Sequence, residues 1–360
     1  MDETATIATG AAPGGEDGSR PTTLLPASHL LRISAYWLGL TAIDSAVNIV
    51  VQNRINFDRR LMPDELMIGT TTALVGLAGA ILSILIQPTV GYISDFAVTR
   101  WGRRKPFIVV GSLLDVLFLL GIAYSNTLLA LAAFVALLSV STNIARGPFQ
   151  GYVPDLVAEK QVGLASALVG MMQIVGNVTG VLLATFAVQA GNLPIALIAV
   201  AVVELVTMAS VVLRVGNGLP PRPREGRSWA RIARETWATD ILREHSYLWL
   251  LASRFLFLTA GGILFNLAVQ YLSQVHGLPQ DEAAGAQRTM SILIVIAIVI
   301  VSVPAGRLSD RFGRKPVIYV GCAIGAMLLG ALAPNLAVAY LAALLYGIGG
   351  GVFIAVDWRS

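Results

Sequence analysis

The fold is decided by a stretch that occurs twice, GYISDFAVTRWGRRKPFIVVG at residues 91–111 and GRLSDRFGRKPVIYVG at residues 306–321. Both copies read Gly-x-x-Ser-Asp, then Arg-aromatic-Gly-Arg, then Lys-Pro at the start of an apolar segment. The first copy has four more residues between its aspartate and the following glycine. A loop repeated at matching places predicts two six-span halves in parallel orientation.

The segments around these loops have the composition of a membrane protein. Apolar residues make up 56% of the chain and charged residues 13%, whereas soluble domains carry about 25% charged residues. The apolar blocks are about 20 residues long, which suits a membrane-spanning helix rather than the ~10 residues of a barrel strand. We therefore predict an all-α polytopic membrane protein and exclude a soluble one.

Hydropathy predicts ten spans, whereas two six-span halves would have twelve. Because the sequence ends just after the tenth span, it is expected to be truncated at its C-terminus. The predicted domains are a disordered cytoplasmic tail (1–28), a six-helix bundle (29–214), a cytoplasmic central loop (215–246) and an incomplete four-helix bundle (247–360). The central loop is either an amphipathic helix on the inner leaflet or a solvated linker. The spans are Ile33–Val51, Met67–Val90, Phe107–Tyr124, Thr127–Ala145, Gly163–Gln189, Leu193–Leu213, Tyr247–Leu272, Gly285–Pro304, Val317–Ala333 and Leu336–Val356.

The arginines and lysines predict the orientation. Twenty lie in segments that would be cytoplasmic with the N-terminus inside, and four lie in the opposite loops. Positive residues favour the cytoplasmic side, so we expect a cytoplasmic N-terminus in a plasma membrane, that of a bacterial inner membrane in particular.

Other function classes lack their sequence features. Cys322 is the single cysteine and the three histidines are scattered, so no metal site or disulfide framework is expected. The chain has no Gly-x4-Gly-Lys-Ser/Thr loop for ATP, and the glycines from Gly347 to Gly351 are better explained as a helix contact than as a nucleotide loop. We expect neither an enzyme, nor a cofactor, nor nucleic-acid binding.

The duplicated loop resembles the signature of the major facilitator superfamily, which recurs between spans two and three and between spans eight and nine. The resemblance implies a two-bundle fold with a small-molecule substrate. The loop residues it singles out for gating are Gly91, Asp95, Arg103, Arg104, Gly306, Asp310, Arg314 and Lys315. The arginines are suited to pairing with carboxylates or lipid phosphates, so membrane lipid is an expected partner. The protein is expected to be a monomer.

A second stretch, Asn143–Gly180, is similar to the end of span four and the start of span five in sucrose transporters and glycoside–pentoside–hexuronide–cation symporters. The Gly-Pro step, the Asp-Leu pair and the Gly-Asn-x-x-Gly ending all correspond. Plant sucrose transporters carry an arginine shortly after Gly-Pro, where this chain has Gln150; its arginine, Arg146, precedes the pair. The resemblance implies sugar or glycoside transport without specifying sucrose.

Polar residues within spans are the candidate binding groups, because burying them in a bilayer is costly. Asp44, Asn48 and Gln52 recur every four residues on one face of span one. Asp44 is the first candidate for the coupling charge, and a structural pairing with Arg146 or Arg254 is the alternative. Asp115 ranks lower, and Glu204 has no assigned role. Further substrate candidates are Asn177, Arg254, Asn266 and Gln270, and Arg146 with Asp155 is expected to form an inner gate beside the Asp95 loop.

The preferred function is symport of a sugar or glycoside with a proton or cation by alternating access. Antiport efflux of amphipathic compounds is the second hypothesis, and a non-transporting sensor or remnant is the third. The polar face of span one favours the symporter, because an exporter would have a more apolar and aromatic cavity.

Overall fold

The computed structural model describes residues 23–58, 68–237, 276–326 and 335–357, together with isolated positions between 245 and 272. These parts of the chain contain helices and turns and no strand. The chain divides into two compact units, the boundary falling after Ala238. The first unit contains α1 (Ala27–Phe57), α2 (Ile68–Ser94), α3 (Lys105–Tyr124), α4 (Leu128–Gln150), α5 (Tyr152–Leu156), α6 (Val162–Gln189), α7 (Leu193–Arg214) and α8 (Trp229–Glu235). The second contains α9 (Gln280–Phe312), α10 (Arg314–Ala326) and α11 (Leu336–Asp357).

Eight helices in the described ranges are long and apolar enough to cross a membrane. They correspond to the first six predicted spans and to the eighth and tenth, which confirms an all-α, multi-spanning fold. The seventh predicted span lies almost wholly outside the described residues, and α10 covers the first part of the ninth. A total of twelve spans is therefore still a prediction.

The first unit is a bundle in which α1 is the central element. Helix α1 packs against α6 and α7, α3 packs against α4 and α7, and α2 packs against α4. Gly176 and Gly180 on α6 meet the backbone of α1 at Leu38 and Ala42, where a Cβ atom would collide with carbonyl oxygens. Glycine permits this close approach of two membrane helices.

The exposed surface of α2 is apolar, as expected of a helix that crosses a membrane. On α2, Leu77 is 57% exposed and Ile84 is 65% exposed. Only 6% of the most apolar part of α2 is buried in the protein. An exposed apolar surface of this extent is costly in water and favourable in a bilayer.

Within the second unit, α11 packs against both α9 and α10. A Cβ atom on Gly347 would lie 2.7 Å from the carbonyl oxygen of Ile294, and one on Gly351 would lie 2.9 Å from that of Ile298. The glycine run of α11 therefore forms a helix contact with α9, which confirms the sequence interpretation.

The two signature loops share a backbone feature and differ in one respect. Gly102 has φ +89° and Gly313 has φ +86°, and each stands immediately before the Arg-Lys-Pro end of its loop. In the first copy α2 ends at Ser94 and a turn follows; in the second, α9 continues through the motif to Phe312. The four additional residues of the first copy account for the difference.

The chain after α7 packs on the first bundle. Ser228 caps α8 by accepting from the amide of Arg231 at 3.2 Å, and Ile232 is fully buried. Trp237 Nε1 donates to Thr89 Oγ1 on α2 at 3.0 Å. Part of the predicted central loop (215–246) is thus the seven-residue helix α8, which packs against α2.

Candidate functional site

Asp155 is the centre of an ion-pair cluster at the end of the first bundle, which we call the signature-loop cluster (Asp95, Arg103, Arg104 and Asp155). Arg103 Nη2 and Arg104 Nε each lie 2.6 Å from Asp155 Oδ2, and Arg104 Nη2 lies 3.1 Å from Asp95 Oδ1. Asp155 is 5% exposed. The cluster ties the loop after α2 to the segment after α4.

Local backbone geometry positions these charges. Pro148 lies in the last turn of α4, and its carbonyl accepts from Arg104 Nη1 at 2.9 Å. Gly151 lies directly beneath the Arg104 guanidinium, where a side chain would collide with it. The amide of Arg222, from the chain after α7, donates to the Asp95 carbonyl at 2.8 Å.

A second ion pair lies within the spans. Arg146 Nη2 on α4 is 2.5 Å from Asp44 Oδ2 on α1. The side chain of Asp44 is 50% exposed and that of Arg146 is 19% exposed, so the pair opens on one side. The expected gate between Arg146 and Asp155 is wrong in its geometry: Arg146 points to Asp44, while Asp155 binds the loop arginines.

The polar face of α1 continues from this pair. Asp44, Asn48 and Gln52 are all exposed, and Gln52 Nε2 donates to Asn48 Oδ1. An exposed carboxylate, two amides and a neighbouring guanidinium can donate to and accept from hydroxyl groups. This open face, the Asp44–Arg146 pair with Asn48 and Gln52, is the candidate site.

A buried polar network lies deeper in the same bundle. Tyr36 on α1 donates to Glu204 Oε1 on α7 at 3.1 Å, and its oxygen lies 2.5 Å from Ser112 Oγ on α3. Asp115 on α3 accepts from Thr142 on α4 at 2.9 Å. Asp115 and Glu204 are each the single charged residue of their predicted spans, and the fold brings them into one network. The sequence did not predict this network, because its members lie on different helices and no regular spacing relates them. The available signal was that each carries a charge within an apolar span.

The remaining candidates are placed as follows. Asn177 is exposed on α6. In the second copy of the loop, Gly306 and Asp310 belong to α9, and Arg314 and Lys315 begin α10. Arg254, Asn266 and Gln270 lie outside the described residues, and so does the pairing of Asp44 with Arg254. No group of three or more metal-ligating side chains occurs in the part of the chain that the structure describes.

The described parts of the chain form a multi-spanning helical fold with a duplicated signature loop. A sequence model of the Major Facilitator Superfamily matches residues 34–357. The chain belongs to this superfamily of membrane transporters, which are not enzymes.

Curated sugar transporters match this chain over part of their length. The general alpha-glucoside permease of Schizosaccharomyces pombe is 35% identical over 128 residues, which is 31% of this chain and 23% of the permease. A sucrose transport protein of Arabidopsis thaliana is 28% identical over 131 residues, 30% of this chain and 22% of that protein. The chain thus matches about a quarter of the length of these relatives.

Solved structures share the fold. An outward-facing bacterial homologue of the iron transporter ferroportin superposes with a TM-score of 0.60 at 16% identity, covering 93% of this chain and 84% of that one. A partially occluded inward-open xylose transporter from E. coli gives 0.57 at 16% identity, covering 92% of this chain and 86% of that one.

Proposed function

We propose that this protein moves a sugar or glycoside across the membrane by alternating access, in symport with a proton or cation. The observation that carries the proposal is the half-exposed Asp44–Arg146 pair, next to Asn48 and Gln52 on the same face of α1. Sugar hydroxyl groups can donate to the carboxylate and accept from the guanidinium, and they can do both with the two side-chain amides. The alpha-glucoside and sucrose transport functions of the relatives support the substrate class.

Asp44 is the coupling carboxylate in this proposal. In the membrane an ion pair is neutral as a unit, so protonation of Asp44 would release Arg146 and leave an uncompensated cation. Asn177 and the residues Arg254, Asn266 and Gln270 are proposed to complete the binding surface.

The signature-loop cluster is proposed to hold one conformation of the transport cycle. Its four charges lie on segments that follow α2 and α4, so breaking the cluster would free these two helix ends. Asp310, with Gly306, Arg314 and Lys315, is proposed to act equivalently in the second copy. The N-terminus is proposed to be cytoplasmic and the protein monomeric, in a bacterial inner membrane.

Transport in proteoliposomes tests the function. The full chain is reconstituted, and uptake of radiolabelled sucrose, maltose and an aryl glucoside is measured under an imposed pH or sodium gradient. We expect uphill uptake of at least one sugar, driven by one of the two gradients. Uptake of no sugar, together with gradient-driven export of amphipathic dyes, would support the antiport hypothesis instead. The absence of any flux would support a non-transporting role.

A further inference from the structure

Two carboxyl groups face each other in the core of the first bundle. Asp115 on α3 and Glu204 on α7 are both 0% exposed, and their side chains lie within hydrogen-bonding reach of one another. Arg146 interacts electrostatically with Asp115, but its guanidinium is ion-paired with Asp44. Neither carboxyl group forms an ion pair in the described part of the chain.

The hydrogen bonds of the pair leave two oxygens without a donor. Asp115 Oδ1 accepts from both Ser141 and Thr142, and Glu204 Oε1 accepts from Tyr36. Asp115 Oδ2 and Glu204 Oε2 are buried and have no hydrogen-bond partner. A single proton held between the two carboxyl groups would satisfy both oxygens, because one would donate and the other accept.

Charge leads to the same conclusion. Two ionised carboxylates in contact repel each other, and in a protein interior they have no bulk water to screen them. A pair that shares one proton removes most of this cost, as paired carboxyl groups do elsewhere. The charged or titratable groups around the pair are Tyr36 from α1 and Arg146 from α4.

Arg146 is placed between the buried pair and the open site. Its Nη2 binds Asp44, whereas its Nε is buried and has no hydrogen-bond partner. It is close enough to Asp115 for an electrostatic interaction. Thr142, one helical turn before Arg146 on α4, already donates to Asp115. The guanidinium thus has an Nε–H donor without a partner, and it interacts electrostatically with the Asp115 carboxyl group.

We propose that Asp115 and Glu204 form a proton-binding site, and that loss of its proton transfers Arg146 from Asp44 to Asp115. The proton passes to the Asp44 carboxylate that Arg146 has released, so the total charge of the four groups is unchanged. The buried pair and Asp44 are then alternative binding sites for one proton. The proton site stands on its own geometry, and its role in transport rests on the proposed function.

Infrared spectroscopy of the purified full chain in heavy water tests the site without substrate. We expect the carbonyl stretch of a protonated carboxyl group at neutral pH. Glu204→Gln and Asp115→Asn should each abolish this band, because the new amide donates to the remaining carboxylate. The matched control Glu225→Gln changes a side chain that is 73% exposed, and should leave the band intact. A wild-type spectrum without the band, or a band that survives both pair variants, overturns the proposal.

Asp44→Asn tests the transfer of Arg146 and leaves both members of the pair in place. Without Asp44, Arg146 has one carboxyl group left to bind, so the pair should lose its proton and its band. Persistence of the band in Asp44→Asn contradicts the transfer. A band that disappears from wild-type protein on addition of sodium at constant pH indicates a cation site and overturns the proton site.

These spectra separate the inference from the proposed function. If proteoliposomes transport no sugar while the band follows the expected pattern, the proton site is upheld and the sugar symport is not. If sugar uptake is gradient-driven while the band is absent, the symport is upheld and its proton binds elsewhere.

Discussion

Arg104 binds Asp155 through two of its nitrogens, Nε at 2.6 Å from Oδ2 and Nη2 at 3.2 Å from Oδ1. This bidentate pair joins the residue before α3 to helix α5, across 51 positions of sequence. Arg104 also donates to the Pro148 carbonyl, so a single side chain fixes both the start of α3 and the end of α4.

Replacing Asp155 should destabilise the first bundle. Asp155→Ala leaves Arg103 and Arg104 buried with Asp95 as their remaining carboxylate, and breaking a buried ion pair costs about 3 kcal/mol or more. Thermal unfolding in detergent measures the loss. The exposed Glu225→Ala is the control, with an expected change within about 0.5 kcal/mol. An Asp155→Ala protein as stable as wild type would show that the cluster does not support the fold.

Asp44→Asn should abolish uphill accumulation of substrate while preserving downhill exchange. The variant keeps the shape of the side chain and removes the charge that pairs with Arg146. One charge crossing the membrane potential gains about 2.3 kcal/mol per 100 mV, which corresponds to roughly fifty-fold accumulation of a neutral sugar and is the quantity lost. Asp58→Asn, at the end of the same helix, is the control. Continued accumulation against a gradient in Asp44→Asn would make Asp44 a structural residue.

Gly180→Leu should separate α1 from α6. The new side chain has no space beside the Ala42 carbonyl, and overpacking of this kind typically costs about 1–3 kcal/mol. Gly170 lies on the same helix and has no atom within 4 Å of its would-be Cβ, so Gly170→Leu is a matched control. Unfolding temperatures of the two variants in detergent check the difference, and equal stability would show that the helices do not touch at Gly180.

Arg54→Lys should destabilise the end of α3. Arg54 Nη1 donates to the Ile122 carbonyl at 2.7 Å and to Ser125 Oγ at 2.8 Å, while Nη2 donates to the Ser125 carbonyl at 2.5 Å. A lysine keeps the charge but lacks the planar fork that makes these three bonds, so we expect a loss of about 1–2 kcal/mol. Hydrogen exchange of the last turn of α3 should rise in the variant. Unchanged exchange would contradict a capping role for Arg54.

The sequence was sufficient to predict the spans and the duplicated loop, because hydropathy over about 20 residues and a repeated motif are local signals. It also predicted the polar face of α1, since Asp44, Asn48 and Gln52 are four residues apart. It did not predict that Asp115 meets Glu204, because that contact depends on how α3 packs against α7. The partner of Asp44 was left open between Arg146 and Arg254 for the same reason: the direction of a side chain is set by tertiary packing.

The glycines of α6 have a mechanical consequence. Where Gly180 meets α1, the nearest atoms are all backbone atoms of Ala42, so main chain lies directly against main chain. Side chains can change rotamer and let two helices slide, but interlocked main chains cannot. Helices α1 and α6 therefore move as one rigid unit, and Asp44 on α1 moves only with that unit. When Arg146 exchanges partners, either α4 or the long arginine side chain therefore moves relative to α1 and α6.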